Sequence, residues 1–210
     1  MPDHLGIVEV LGIAGSVSLL SGWRLYLTAL ATGLAMKFGV LPLPEHLQSL
    51  QVLANPWVMG VAGLAAFMEF FADKILWLDS IWDSVHTFIR PVGGALLTLA
   101  VIDPSDPATQ AIAFILGGGA SLLAHSGKAS ARAVVNTSPE PFSNMAVSTV
   151  EDVATTGLLY LAYSHPIAAG AVAAVLLVLS LALMILAWRI LRRIFVRVKA
   201  DPAASTPVEG

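Results

Sequence analysis

The chain has 210 residues, of which 57% are hydrophobic and 12% are charged, and its formal net charge is −3. Soluble domains are nearer half apolar and about a quarter charged, so this composition predicts an integral membrane protein and leaves no room for a large soluble domain. The lack of cysteine excludes disulfides, thiolate metal sites and cysteine nucleophiles.

Six apolar stretches follow one another along the chain, and each is a candidate transmembrane helix. They lie at about 5–38, 57–73, 91–102, 108–125, 145–164 and 166–190. At about 20 residues a span, the length accommodates six crossings with short connections. The expected fold is an all-α polytopic membrane protein, with a single membrane domain over 1–199 and a disordered cytoplasmic tail over 200–210.

Two of these stretches fit a simple span poorly. The first is too long and contains "SGW" at 21–23, followed by Arg24, whereas the third, 91–102, is too short to cross alone. One interpretation is a tilted long helix and a short span extended by its flanks. The other is a pair of broken or re-entrant helices, which membranes tolerate where the irregular backbone is buried in protein or lines a cavity.

The second stretch ends in "MEFFADK", which places acidic side chains at membrane depth. Glu69 and Asp73 are four residues apart, so they share one helix face. A charge at the centre of a bilayer costs about 2.5–3.5 kcal/mol on insertion scales, whereas Asp73 and Lys74 can reach the interface from a helix end. We expect Glu69 to be a buried ion-coupling carboxylate, with Asp73 as its companion.

Asp79, Asp83, His86 and Arg90 recur at helical spacing in "LDSIWDSVHTFIRP", 78–91, opposite an apolar face. This pattern is typical of an amphipathic helix on the cytoplasmic surface. Alternatively, the helix folds back so that Asp83, His86 and Arg90 line a vestibule. Asp79, Asp83 and His86 could also ligate a divalent metal ion, but their spacing matches no known site, so no metal and no cofactor is assigned.

The segment 125–152 is the richest in polar side chains. Lys128 and Arg132 share a helix face, and Pro139 and Pro141 exclude a continuous helix after them. Two cations followed by hydroxyl and amide groups beside a membrane favour an anion site, although an ordinary cytoplasmic loop would look similar. The candidate substrate-binding residues are Arg24, Lys128, Arg132, Asn136, Ser138 and Asn144.

Glu151 and Asp152 enter the fifth stretch together. Adjacent residues point to different faces of a helix, so at least one of the two should face protein or water rather than lipid. We therefore add both to the ion-coupling candidates, beside Glu69 and Asp73.

Two stretches suggest an internal repeat. "GSVSLLSGWR" at 15–24 and "GASLLAHSGK" at 119–128 share a Ser-Leu-Leu, a Ser-Gly and a following basic residue. Three spans in each half, 1–102 and 108–199, would make the halves inverted repeats, which many transporters use to build a site near the midplane.

Orientation follows from the placement of Lys and Arg, which favour the cytoplasmic side. Five basic residues between Arg189 and Lys199 place the C-terminus inside, and counting back over six spans places the N-terminus inside as well. Lys37 is the exception to this rule. The predicted location is the inner membrane of a bacterium.

The stretches "SGWRLYLTALATGL", "EFFADKILWLDSIWDSVHTFIRPVGGALL" and "GKASARAVVNTSPEPFSNMAVSTVEDV" resemble the bacterial membrane family DUF4126, a domain of unknown function. The resemblance covers most of the chain to about residue 190 and implies a membrane organisation without an activity. "EFFADK" also resembles the Glu-x-Gly-Asp-Lys motif of a cation-exchanger family, but Ala72 replaces the glycine and one residue is inserted.

The predicted function is a small secondary transporter. A membrane enzyme that acts on lipid, with His86 or His125 beside an acid for acid–base work, is the weaker alternative, because the sequence has no nucleophile elbow, no paired-His metal motif and no glycine-rich phosphate loop. The transporter would move a small charged solute or a phosphate-bearing headgroup and would be coupled through the buried acids. The alternatives are a divalent-cation transporter that uses the same acids, and a membrane scaffold or assembly factor. The predicted partners are the lipid bilayer, an anionic solute or lipid headgroup and a second copy of the chain, and nucleic acid is not expected because topology explains the basic cluster.

Overall fold

The computed structural model describes residues 6–39, 45–102, 106–135 and 141–200, and over these ranges the chain is helical. The α-helices are α1 (Ile7–Lys37), α2 (Pro56–Ala72), α3 (Leu76–Ile102), α4 (Pro107–Val135), α5 (Pro141–Ser164) and α6 (Pro166–Ala200), and a 3-10 helix, Glu45–Ala54, precedes α2. Four of them, α1, α3, α4 and α6, are long and apolar enough to cross a membrane, and α2 is a shorter apolar helix. The prediction of an all-α, membrane-embedded protein is confirmed at this level.

Proline sets the start of several helices. α2, α4, α5 and α6 each begin at a proline, where the missing N–H costs nothing because the first turn has no acceptor for it. Polar caps complete two of these starts: the Asn55 side chain accepts a hydrogen bond from the Trp57 N–H, and Asp106 accepts one from the Thr109 N–H.

The amphipathic stretch 78–91 and the short apolar stretch 91–102 form a single element. α3 continues through Pro91 from Leu76 to Ile102. The short third stretch is therefore a span extended by its N-terminal flank, and the polar face of 78–91 belongs to the helix bundle rather than to a separate surface helix.

α1 is broken at Arg24, whose backbone angles (φ −145°, ψ 73°) are not helical. A first arm, 7–23, and a second arm, 25–37, meet there. The second arm is helical from its start, since the Thr28 hydroxyl donates to the Arg24 carbonyl four residues earlier, as in a regular turn. Of the two interpretations left open by the sequence, a broken helix therefore applies to the first stretch, whereas the third stretch is the extended span of α3.

The two arms of α1 run in opposite directions. Gly12 on the first arm packs so closely on Pro166 that a Cβ atom on Gly12 would lie 2.2 Å from the Pro166 carbonyl oxygen. On the second arm, the Thr32 hydroxyl lies 3.1 Å from that of Tyr163, which is only three residues before Pro166. A straight helix would separate Gly12 from Thr32 by about 30 Å, so the chain turns back at Arg24.

We call the two ends of the bundle the Gly12 end and the Arg24 end. α6 begins beside Gly12 and passes Gly127, next to Lys128, on its way to the Arg24 end. The first and last described residues therefore lie at opposite ends of the bundle. The prediction of six crossings with both termini on one side is not confirmed, since it assumed that α1 runs once from one end of the bundle to the other.

The stretches proposed as repeats do pack against each other, but in parallel. Ser18 on α1 donates a hydrogen bond to the Gly117 carbonyl, and a Cβ atom on Gly22 would lie 2.2 Å from the Ser121 carbonyl oxygen. Residue numbers thus increase in the same direction along both helices. Inverted repeats would place these helices antiparallel, so the packing speaks against that hypothesis.

α1 occupies the centre of the bundle and α6 its periphery. α1 contacts every other α-helix, and Ile13, Val17 and Leu20 on its first arm are buried. α6 instead exposes many large apolar side chains, among them Val178 and Leu186. A helix that is apolar on all sides is suited either to the protein core or to lipid. The first arm of α1 lies in the core, and α6 presents its apolar side chains at the surface of the bundle.

Candidate functional site

Charged side chains gather at the Arg24 end, where the reversal of α1 meets the C-terminal end of α2 and parts of α3, α4 and α5. Buried charges are costly unless they are paired, and ion pairs divide these into two clusters. The Arg90 cluster consists of Glu69, Asp83, Arg90 and His125. The Arg24 cluster consists of Arg24, Asp73, Asp79, Lys128, Arg132, Glu151 and Asp152.

In the Arg90 cluster, one guanidinium holds several partners. Arg90 lies 2.7 Å from a Glu69 oxygen and 3.2 Å from an Asp83 oxygen. The same side chain donates to His125 Nδ1 at 2.6 Å and to the Gly22 carbonyl at 3.4 Å. Arg90 and Glu69 are almost fully buried, so this cluster ties α2, α3, α4 and the tip of α1 together.

The histidines at this end are held as neutral rings. His125 accepts from Arg90 at Nδ1, so Nε2 carries the proton, and it lies 3.2 Å from the Asp83 carbonyl. His86 Nδ1 lies 2.7 Å from the Trp82 carbonyl and therefore carries the proton there, while Nε2 accepts from the Tyr26 hydroxyl at 3.0 Å. Each ring then has one donor and one acceptor nitrogen, both in use.

In the Arg24 cluster, carboxylates are shared between cations. One Asp73 oxygen pairs with Arg24, lies 3.4 Å from Lys128 and lies 3.3 Å from Arg132. One Glu151 oxygen contacts the same three cations, at 3.5, 3.4 and 2.9 Å respectively. One carboxylate at the end of α2 and one on α5 therefore share the same three cations.

Single contacts complete this cluster. Asp79 pairs with Arg132 at 2.5 Å, and Asp152 pairs with Arg24 Nε at 3.0 Å. Arg24 also donates to the Ser148 hydroxyl at 3.0 Å. Lys74 lies at the rim, 3.3 Å from the same hydroxyl, and its partial burial lowers the pKa of its ammonium group.

A polar cavity of about 230 Å³ lies between α3 and α4 and joins the two clusters. Asp79 and Arg132 of the Arg24 cluster and Asp83 and His125 of the Arg90 cluster line it. Hydroxyl groups and one small side chain complete the wall: Ser80, Ser84, Thr87 and Ala129. The cavity can hold a small hydrated ion or a small polar solute, since it exceeds the volume of one water several-fold.

One set of carboxylates near the cavity has the spacing of a metal site. Asp73, Asp79 and Asp83 are buried, and one oxygen from each lies within 4.8 Å of the others. Oxygen donors of this kind suit Mg²⁺, Ca²⁺ or Mn²⁺. His86, which the sequence suggested as a ligand beside Asp79 and Asp83, is instead occupied by Tyr26 and Trp82.

The structure brings most of the predicted residues together. The four ion-coupling candidates and three of the substrate candidates, Arg24, Lys128 and Arg132, belong to the two clusters. Of the predicted vestibule residues, Asp83 lines the cavity, Arg90 is buried beside it in the Arg90 cluster, and His86 contacts Tyr26 and Trp82 instead. Asn136 and Ser138 fall outside the described residues, and Asn144 is described only through its backbone, in the first turn of α5.

Two residues of the clusters were left out of the predicted substrate, coupling and vestibule sets. Asp79 binds Arg132, and His125 binds Arg90 and lines the cavity. A signal for both is present in helical spacing, since Asp79 is four residues before Asp83, and His125 is three residues before Lys128 and seven before Arg132.

Comparison with known proteins identifies the family. Residues 11–186 match the family described as a domain of unknown function, DUF4126. The chain belongs to this family. No curated protein and no solved structure matches the chain, so the match supports the shared organisation of the membrane domain and leaves the activity to be argued from the site.

Proposed function

We propose that the protein is a small secondary transporter of the bacterial inner membrane that moves a small charged solute and is coupled through its buried carboxylates. The observation that carries this proposal is a polar cavity between two buried clusters of charges at the reversal of a broken helix. Charges inside a membrane protein are costly and most often mark ion or substrate paths. Broken helices at such sites are typical of secondary transporters.

In the proposed topology, α1 is a re-entrant hairpin and α2 to α6 each cross the membrane. The Arg24 end faces the cytoplasm, because Lys74, Lys128, Arg132 and the basic end of α6 are on that side, whereas Lys37 is at the Gly12 end. The N-terminus then lies outside and the C-terminus inside. Five crossings and one hairpin replace the six crossings expected from the sequence.

The balance of charges favours a cationic solute over an anionic one. The two clusters hold six carboxylates and four cations: Glu69, Asp73, Asp79, Asp83, Glu151 and Asp152 against Arg24, Arg90, Lys128 and Arg132. A buried surplus of negative charge is relieved by protons or by a bound cation. Exchange of one for the other would couple solute movement to the proton gradient.

The route for such a cation begins at the cavity. Asp79 and Asp83 line it and are each held by an arginine of a different cluster. A cation that enters competes with Arg132 and Arg90 for these carboxylates. Release of Arg90 would loosen the contacts that hold the tip of α1, since Arg90 also donates to the Gly22 carbonyl, and this links solute binding to a conformational step.

A second candidate is the phosphate-bearing anion expected from the sequence. Arg132 reaches the same cavity beside three hydroxyl groups, which are suitable donors to a phosphate. Arg132 is, however, held by Asp79 and Glu151, so an anion would bind only after protons neutralise those acids. This version predicts symport of the anion with protons rather than exchange.

Purified protein in liposomes loaded with a pH-sensitive dye would test the proposal. Mg²⁺, Mn²⁺, Ca²⁺ and inorganic phosphate are added outside in turn, and proton movement is followed by fluorescence. We expect entry of a divalent cation into the liposomes to be exchanged for protons, so that the pH inside the liposomes rises. Asp79→Asn and Asp83→Asn should abolish this rise. The matched control is Asp106→Asn, which removes an exposed acid at the opposite end of the bundle.

The outcomes separate the candidate functions. A signal with phosphate alone would favour the anion, and a loss of signal in Asp106→Asn would mean that the cavity is not the cause. No proton movement with any of the four probes, together with unchanged melting temperatures in their presence, would overturn the transporter proposal and favour the scaffold alternative.

A further inference from the structure

Hydroxyl groups on the α3 wall of the cavity face it as hydrogen-bond acceptors. The Ser84 hydroxyl donates to the Ser80 carbonyl at 2.7 Å, and the Thr87 hydroxyl donates to the Asp83 carbonyl at 2.9 Å. A serine or threonine hydroxyl has one hydrogen and two lone pairs. Because both hydrogens are used within α3, these two hydroxyls offer a ligand lone pairs rather than a hydrogen.

Two carboxylates on the same wall add further acceptors. Arg132 binds one Asp79 oxygen, and Arg90 binds one Asp83 oxygen. A carboxylate has about four lone-pair sites, so each keeps sites for a ligand. An oxygen of Asp79 lies within 4.8 Å of an oxygen of Asp83. One ammonium nitrogen can donate to two oxygens about 4.6 Å apart, since its N–H groups are tetrahedral and its N···O distances are about 2.8 Å.

The nitrogen donors of the wall are already engaged. The His125 Nε2–H lies 3.1 Å from the Thr87 hydroxyl oxygen and 3.2 Å from the Asp83 carbonyl oxygen. Arg132 donates to Asp79 and to Glu151. An anion would have to displace these acceptors, whereas a cation with N–H groups of its own finds lone pairs and competes with the arginines for the carboxylates.

The volume and the wall of the cavity favour an organic ion. Its volume of about 230 Å³ is several times the share of one water molecule in the liquid, about 30 Å³, so a bare metal ion would fill little of it. Ala129 supplies an apolar part of the wall. No Phe, Tyr or Trp is among the described residues that line the cavity, and these are the side chains that bind quaternary ammonium ions.

We propose that the cavity is a binding site for a small primary ammonium ion, an organic cation whose N–H groups donate to Asp79, Asp83 and the hydroxyls of α3. This inference rests on the proposed function and names a class of solute for it, beside the divalent ions considered above. Arg90 and Arg132 stay charged throughout, and binding requires no residue of the wall to gain or lose a proton.

Two isomeric cations test the class of ligand. n-Butylammonium and tetramethylammonium have the same formula and charge, but only the first has N–H groups. We would measure melting temperatures of the purified protein in detergent in the chloride salts of both, in NaCl and in MgCl₂, at equal ionic strength. n-Butylammonium should stabilise the protein saturably, by about 3–10 °C at about ten to a hundred times its Kd. Tetramethylammonium and sodium should not.

Variants of the wall locate the response. Thr87→Val keeps the shape of the side chain and removes its hydroxyl, so the half-saturating concentration of n-butylammonium should rise about fivefold to tenfold. Ser84→Ala removes the neighbouring acceptor at an exposed position, where folding should persist, and should weaken binding in the same way. Ala129→Leu fills the cavity from α4 and should abolish the response.

The matched control is Thr149→Val on α5. The Thr149 hydroxyl also donates to the carbonyl four residues earlier, at 2.8 Å, but Thr149 is exposed and does not line the cavity. This variant should respond to n-butylammonium as the wild type does, because the wall of the cavity is unchanged.

Several results would overturn the inference. They are an equal shift from both isomers, no shift from n-butylammonium, a shift from MgCl₂ alone, and an unchanged half-saturating concentration in all three wall variants. Proton movement driven by a divalent cation in liposomes, together with any of these results, would leave the transporter proposal intact and reject the organic cation alone. Binding of n-butylammonium without any solute-driven proton movement would support the site and contradict transport.

Discussion

The Arg90 cluster and the Arg24 cluster both pair arginine with aspartate and glutamate but distribute their charges differently. Within the described residues, Glu69 pairs with Arg90 alone, and Arg90 is surrounded by fixed partners. In the Arg24 cluster, Asp73 and Glu151 each contact three cations. Removal of one charge therefore leaves an uncompensated partner in the first cluster but a set of remaining partners in the second.

This difference suggests a division of roles. A buried pair without substitutes fixes a structure, because breaking it exposes the full cost of desolvating the remaining charge. Shared charges can be redistributed when one member gains or loses a proton, so they are suited to a site that must change its occupant. We therefore expect the Glu69–Arg90 pair to hold α1, α2 and α3 together, and the Arg24 cluster, with Asp83 at the cavity, to carry the coupling chemistry.

The largest effect should come from Arg90→Ala. This change leaves Glu69 buried without its partner and removes the donor to the Gly22 carbonyl and to His125, and the expected loss in the free energy of unfolding is about 3–5 kcal/mol. The measurement is thermal unfolding in detergent. The double variant Arg90→Ala/Glu69→Gln should recover part of the loss, because no uncompensated charge remains.

An unchanged melting temperature in Arg90→Ala would contradict the structural role of this cluster. Equal losses in the single and double variants would show that packing, rather than the unpaired Glu69, dominates the effect. In either case the comparison between the clusters would lose its physical basis.

The next effect should come from Gly22→Ala, at the junction between the clusters. A Cβ atom on Gly22 would lie 2.2 Å from the Ser121 carbonyl oxygen, so α1 and α4 must move apart. Overpacking of this kind costs about 1–3 kcal/mol. Gly15→Ala on the same arm is the control, since no neighbouring atom lies within 4 Å of its Cβ position, and unfolding of both variants should be compared under identical conditions. Similar stability of the two would refute the close packing of α1 on α4.

The reversal of α1 explains what the sequence could and could not predict. The limits of α1 and α2 follow the apolar runs closely, because polar and proline residues end those runs on both sides. An apolar run looks the same whether the helix is straight or folded back, so the only signals were its excess length and the charged Arg24 after "SGW". The direction of the second arm depends on tertiary contacts such as that of Thr32 with Tyr163.

For the candidate site as well, the sequence indicated single residues but not the contacts between helices. Glu69, Asp73 and Glu151 stand out singly, because an acid in an apolar helix has few explanations. Their partners could not be predicted, because they lie on other helices and the pairing depends on how the bundle packs. The sequence therefore suggested free cations for an anion, whereas Lys128 and Arg132 are both bound to Asp73 and Glu151.

Glu151→Gln should change coupling more than stability. Arg132 keeps Asp79, and Arg24 and Lys128 keep Asp73, so the loss in unfolding free energy should be about 1 kcal/mol. Solute-driven proton movement in liposomes should nevertheless disappear, since the variant cannot exchange a proton at this position. Glu69→Gln is the comparison: it should lower stability more than Glu151→Gln does. Normal coupling in Glu151→Gln would remove this residue from the mechanism.

The smallest effect should come from Asp152→Asn, next to Glu151 on α5. Its side chain is 23% exposed, and Arg24 Nε is its ion-pair partner at 3.0 Å. Arg24 retains Asp73 and Glu151, and pairs open to solvent contribute about 0–1 kcal/mol. We expect unfolding close to that of the wild type and coupling that persists. A loss of coupling as complete as in Glu151→Gln would mean that Asp152 must hold Arg24 for coupling to occur. The coupling role would then belong to both Glu151 and Asp152 rather than to Glu151 alone.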